Sequence, residues 1–245
     1  MHASDVTRRD VLLGGTAAGA AFFFARTAGA SQGPPPARAS LDHLLLGVGD
    51  LDRGVAWVEK QTRVKAAAGG SHPGVGTRNA LLSLGGARYL EIIAPDPQQQ
   101  AYNFHIDVRA LSEPRLITWA AAADVGAVAR RAAEAGLQVF GPRDGSRSRP
   151  DGTVLKWRTL GVLNQLGQQG VEPVPFFIEW AADSPHPAQD SPGGCELESF
   201  EIEHPDAAAL SGLLGKLGVE VPVKPAAAPR LSAVLKTPGG VLVLS

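Results

Sequence analysis

Residues 41–62 read LDHLLLGVGDLDRGVAWVEKQT. An apolar run through Val48 ends at Gly49-Asp50, and the pattern then changes to Leu51, Val55, Trp57 and Val58. This is a strand, a turn and a helix whose N-cap is Asp50, because an aspartate side chain accepts the unpaired N–H groups of a first helical turn. Asp42 and His43 are the only polar residues in strand 41–48. His43 either holds a ligand or is a histidine tolerated by the core, and the rest of the chain has to decide between them.

Working outward, the Gly-rich segment AGGSHPGVGT (68–77) leads to strand RNALLSLG (78–85), the turn Gly85-Gly86 and strand RYLEIIA (88–94). The same order returns at RLITWAAAA (115–123), where Asp124 opens the helix VGAVARRAAEAGL (125–137) that Gly136 closes. A polar loop (141–152) and strands VLKWRTLGVL (154–163) and VPFFIEWAA (174–182) follow. ELESFEIEHPD (196–206) and helix AAALSGLLGKLG (207–218) begin a third, shorter copy. The reading is α+β: βαβββ units at 41–112, 113–190 and 191–245, behind a Pro-rich linker at 31–40.

The N-terminus reads differently. Arg8-Arg9 precedes an uncharged apolar run, Val11 to Ala25, and Ala28-Gly29-Ala30 has the small-x-small form of a cleavage site. That order is an export signal, and the arginine pair resembles the twin-arginine type. The run is short of the about 20 apolar residues that span a bilayer. Removal after Ala30 and periplasmic export are therefore expected, an uncleaved anchor being the other reading. The leader carries Arg8, Arg9 and Arg26 against Asp5 and Asp10, so the formal charge of −1 becomes −2 without it. There is no basic footprint for nucleic acid and no polybasic stretch for anionic lipid. Cys195 is the only cysteine, which excludes an intramolecular disulfide.

Asp42-His43 on a first strand, a Gly-Asp-Leu turn into a helix, and Tyr89-Leu90-Glu91 on a fourth strand resemble the vicinal oxygen chelate (glyoxalase/bleomycin-resistance/dioxygenase) superfamily. The stretches at 72–97, 148–157 and 176–180 are similar to its glyoxalase-like domain proteins. The resemblance implies that the first two units pair and curl into a cup, with the third packed beside them. It also implies metal ligands from the first and fourth strands of each unit. Residue by residue these are His43 and Glu91 in the first unit and Glu179 in the second. The remaining position falls near Ile117 or Trp119, neither of which binds metal, and His186 in the loop 183–190 is the alternative.

Imidazole with carboxylates suits Zn, Mn, Fe or Ni. Glu91 and Glu179 are also the expected catalytic carboxylates, one of them a mobile base. His72, Arg78, Asn79, Arg147 and Arg149 are expected to bind a small anionic or oxygenated substrate, since arginine forks match carboxylate and phosphate. Trp119 and Trp157 are expected to wall it. The resemblance thus implies a metal-dependent lyase, isomerase or dioxygenase-type enzyme. A non-catalytic protein that sequesters a small molecule in the same cup is the competing reading, and a homodimer contact through the third unit stays open.

Overall fold

The computed structural model describes residues 40–148 and 152–245; the leader, nearly all of the linker and Arg149 lie outside the described residues. Strand β1 (Ser40–Gly47) is followed by α1 (Leu51–Thr62), whose cap Asp50 accepts the Arg53 N–H at 2.8 Å. Strands β2 (Ala67–His72), β3 (Thr77–Ser83) and β4 (Tyr89–Pro95) complete the first unit. The second contains β5 (Arg115–Ala122), α2 (Val125–Glu134), β6 (Val139–Ser148), β7 (Val154–Val162) and β8 (Phe176–Trp180). Asp124 caps α2 through the Ala127 N–H at 2.8 Å. After the short helix α3 (Pro187–Asp190) come β9 (Glu196–His204), α4 (Ala207–Leu217), β10 (Val223–Pro225), β11 (Arg230–Thr237) and β12 (Gly240–Leu244). Asp206 caps α4 in the same way, at 3.0 Å from the Ala209 nitrogen.

The first eight strands form one sheet in the order β2-β3-β4-β1-β5-β8-β7-β6. β1 and β5 are antiparallel neighbours at its centre, and each runs parallel to the last strand of its own unit. The sheet curls until its two edge strands, β2 and β6, touch. This is the expected cup. Two segments read as loops are in fact these edges: 68–77 begins in β2, and the polar stretch from 141 lies in β6. Neither carries the apolar alternation that marks a half-buried strand, because an edge strand buries so little.

The third unit has its own four-stranded sheet, ordered β10-β9-β11-β12. In the first two units the opening strand lies beside the fourth, whereas β9 lies between β10 and β11. Both edges of β9 are thereby used, so it cannot extend the cup as β1 and β5 extend each other. This sheet packs on the outer face of the large one. Phe200 meets Trp119 at 5.2 Å between ring centroids, β11 lies against β5, and α4 against α2. The main core occupies that interface, with Leu44, Leu46, Leu90, Ile92, Phe177, Leu214 and Leu231 all buried. A smaller apolar cluster of Leu45, Ile93, Ile106, Val108 and Ile117 forms the floor of the cup.

Candidate functional site

The register of β1 against β5 slips between Leu41 and His43, leaving Asp42 as an extra residue. In a regular strand adjacent side chains point to opposite faces. A bulge breaks that rule and re-aims a side chain. Asp42 and His43 consequently both enter the cup, where they are 1% and 2% exposed.

The Asp42 carboxylate collects three donors. His43 Nδ1 lies 2.6 Å from Oδ1, and Trp180 Nε1 and His186 Nε2 lie 3.1 and 3.2 Å from Oδ2. Burial alone would raise its pKa, but hydrogen bonds and charge from His186 and His43 hold the carboxyl well below the ordinary range. An ionised carboxylate only accepts, so His43 carries its proton on Nδ1 and turns Nε2 the other way. Glu91 waits there, with Oε2 at 3.4 Å from that nitrogen. Tyr89 stacks on the His43 ring at 4.4 Å and Phe176 meets it edge-on at 5.5 Å, so the imidazole cannot swing away.

On its other side Glu91 accepts a hydrogen bond from Asn79 Nδ2 at 2.7 Å. The same amide nitrogen is 3.1 Å from His72 Nε2, which must then accept, leaving the His72 Nδ1–H to donate to Thr77 Oγ1 at 2.8 Å. Burial holds His72 below the ordinary imidazole range; Glu91 partly offsets this and Arg147 reinforces it. Arg147, buried on β6, reaches this group across the joined sheet edges. It does so through a notch of two glycines. A side chain on Gly69 would collide with Asn79 Oδ1 and come within 3.0 Å of Arg147 Nη1, and one on Gly70 would lie 3.3 Å from Arg147 Cδ.

The cup thus brings together His43, Glu91, His72, Asn79 and Arg147. It does not include the others. Glu179 lies on the outer face, where it pairs with Arg158 at 2.7 Å and accepts the Val125 N–H at the start of α2. Arg78 also points outward, 3.7 Å from Asp52. Trp119 is sealed between the two sheets with its indole N–H on the Pro173 carbonyl at 2.9 Å, so it cannot wall a substrate. Trp157 packs against Trp180, one ring removed from Asp42. Arg149 lies outside the described residues. A groove of about 560 Å³ runs by Asp144, Lys156, Arg158 and Glu179. Its Arg158 and Lys156 are already matched by Glu179 and Asp183.

The error over Glu179 has a geometric origin. β5 has its own bulge at Ile117, opposite the step from Leu45 to Leu46. Counting from each bulge, His43 matches Thr118 and Leu45 matches Ala120. Leu45 pairs with Glu91 and Ala120 with Phe176, so the equivalent of Glu91 is Phe176. Equating Glu91 with Glu179 is an offset of three residues, an odd number, and flips the side chain to the wrong face.

A divalent ion needs several converging lone pairs. The second unit offers Thr118 and Phe176 at the equivalent places, and the Asn79 amide already occupies Glu91 Oε1 and His72 Nε2. Arg147 adds a fixed positive charge close enough to depress His72. Among the described residues no three His, Cys, Asp or Glu side chains are arranged to hold a metal. The expected set of His43, Glu91 and Glu179 does not assemble, and the residues present do not fit a resident metal.

The Glyoxalase-like domain profile matches residues 41–218. The chain belongs to the Glyoxalase-like domain family. No curated protein matches its sequence. Its fold is similar to that of a hypothetical protein from Staphylococcus aureus, 15% identical with a TM-score of 0.64 over 84% of this chain and 99% of that one. Methylmalonyl-CoA epimerase from Mycobacterium tuberculosis is 20% identical with a TM-score of 0.39, over 58% of this chain and 87% of its own. A hypothetical protein from Bacillus halodurans C-125 is 15% identical with a TM-score of 0.42, over 60% of this chain and 98% of that one. At 15% identity the likeness to the Staphylococcus aureus protein is one of fold alone. No helix among the described residues is long and apolar enough to cross a membrane.

Three residues of the site were absent from the sequence-derived set: Asp42, Tyr89 and Trp180. His186 stood in it only as an alternative metal ligand, and it comes to the cup as a donor to Asp42 instead. Tyr89 shares the strand alternation of Glu91 and was open to that reading. Trp180 and Asp42 are 138 residues apart, and no local pattern joins them.

Proposed function

We propose that this glyoxalase-like protein is exported and acts on a small oxygenated anion by moving a proton, as an isomerase or lyase does. The observation that carries the reading is the buried His43–Glu91 pair, whose facing atoms are 3.4 Å apart. A carboxylate in an apolar wall is costly unless it is hydrogen-bonded or neutralised. Here Asn79 supplies the hydrogen bond, and the His43 nitrogen faces the remaining oxygen. In the proposed step Glu91 takes a proton from a carbon next to a substrate carbonyl. The electron pair moves onto the carbonyl oxygen as an enolate, the proton passes from Glu91 to the bare Nε2 of His43 facing it, and from there it returns to carbon. The Arg147 guanidinium and His72 stand where a carboxylate or the enolate oxygen would be held. The metal-dependent form of this chemistry implied by the resemblance has no support from the donor set.

The test is deuterium wash-in. Small 2-oxo and 2-hydroxy acids are incubated with the protein in D2O, and carbon-bound deuterium is followed by NMR. Wild type is expected to exchange at least one of them, and His43→Ala to lower the rate by roughly 10²–10⁴-fold, the usual contribution of a positioned acid or base. Exchange that is unchanged in His43→Ala contradicts the proposal. Tight binding with no exchange would favour the sequestering protein. That second reading has one observation behind it, since His43, Asn79, Glu91 and Arg147 are all buried while the neighbouring His72 is partly open.

A further inference from the structure

We propose that Asp42 is the positioning residue of this site, fixing the proton of His43 on Nδ1 and so turning Nε2 toward Glu91. Regular alternation would have faced Asp42 outward, into the apolar layer that takes Leu44 and Leu46. The bulge brings it inward instead. Its partners come from three separate places: His43 on its own strand, Trp180 on β8, and His186 at the start of α3.

The division of labour between the two carboxylate oxygens matters. Oδ1 faces only His43, while Oδ2 faces Trp180 and His186. The indole N–H of Trp180 is a donor and nothing else. His186 is also fixed as a donor at Nε2, because its Nδ1 accepts the Ala188 N–H at 3.2 Å. The Oδ2 side therefore demands an acceptor under any substitution. With Asp42 at 1% exposure, no bulk water competes for either oxygen.

This makes a sharp prediction for Asp42→Asn, which keeps the shape and removes one acceptor. The amide oxygen must turn to Trp180 and His186, so its NH2 group turns to His43 Nδ1. That nitrogen then has to accept, and the imidazole proton moves to Nε2, against Glu91. A residue that only filled space would leave the tautomer unchanged.

The consequence for catalysis rests on the proton-transfer reading above, but the test reads the imidazole directly, so the two fail separately. Long-range ¹⁵N–¹H correlation spectra of the full chain, taken at mildly alkaline pH, distinguish the tautomers. Wild-type His43 is expected to show Nδ1–H, Asp42→Asn to show Nε2–H, and His186→Ala to keep Nδ1–H because Asp42 still accepts from it. Nε2–H in the wild type overturns the proposal, as does Nδ1–H retained in Asp42→Asn. Should Asp42→Asn not fold, the wild-type spectrum decides alone: Nδ1–H supports the assignment and Nε2–H overturns it. A switched tautomer with unaltered deuterium wash-in would uphold the positioning role and defeat the proton-transfer reading.

Discussion

The two halves of the cup share a backbone plan and differ at almost every inward-facing position that matters. At matched places the first half carries His43 and Glu91, and the second carries Thr118 and Phe176. Each half has a bulge in its opening strand, but one aims Asp42 into the cup and the other aims Ile117. The halves have thus divided the work. One supplies Asp42, His43, His72 and Glu91 together with most of the apolar floor, and the other adds Ile117 and Phe176 to that floor, sets His186 behind Asp42 and sends Arg147 across the seam. A duplicated fold does not imply a duplicated site, and half a ligand set is better explained by a site built on one side.

The division can be broken most severely at Trp119. If the second half turns this side chain into the core, Trp119→Ala should cost about 3–5 kcal/mol in urea unfolding. Ligand binding by the folded fraction should be unchanged. A stability change below about 1 kcal/mol with lost binding would return Trp119 to the cup.

Phe176→Glu copies the carboxylate of the first half into the second. Phe176 packs on the floor with Leu45, Ile93 and Ile117, and Glu91's partner Asn79 already serves Glu91. Unfolding free energy should fall by roughly 2–4 kcal/mol. An equally stable variant would mean that the second half accommodates charge as readily as the first.

The polar half should also make stability depend on pH. His72 has a depressed folded pKa, so the unfolded state binds more protons once pH falls below about 6.5. Its contribution is complete above that value and is lost as pH falls through the folded pKa. Asp42, likewise depressed, contributes fully above the ordinary carboxyl pKa near ~3.9 and loses that contribution only as pH falls below it. Chemical denaturation across pH should show two falling steps, and His72→Gln should flatten the upper one. An unchanged upper step in His72→Gln would show that another group, such as His105, whose imidazole pKa desolvation also lowers, produces it.

A smaller effect is expected from the leader. Replacing Arg8-Arg9 with lysines should retain precursor in the cytoplasm if export follows the twin-arginine route, and normal export of that variant would contradict it. Secreted protein should start just after Ala30.

Much of this architecture was legible because its signals are local. Asp50, Asp124 and Asp206 each precede a helix and each caps it. The apolar runs at 41–48 and 88–94 and the repeated order pointed to the βαβββ units, and the family resemblance implied their curling into a cup. What escaped was whatever depends on parity or on distance. Asp42 was hidden because a bulge has no signature in alternation. Glu179 was misplaced because the two fourth strands were matched glutamate to glutamate, and the strand pairing shifts that match by three residues. Arg78 and Asn79 were both assigned to the substrate although neighbours on a strand face opposite ways, which alternation alone could have corrected. The crossing of Arg147 to Gly69 and Gly70 depends on closure of the sheet edges, which no local pattern contains.

The central claim, that one half of the cup does the chemistry, is tested most directly by comparing its two look-alike carboxylates. Deuterium wash-in should be measured in parallel for Glu91→Gln and Glu179→Gln. The account predicts a loss of roughly 100-fold or more for Glu91→Gln and a rate within about twofold of wild type for Glu179→Gln, whose partners are Arg158 and the start of α2. Equal losses in the two variants, or a loss in Glu179→Gln alone, would contradict it.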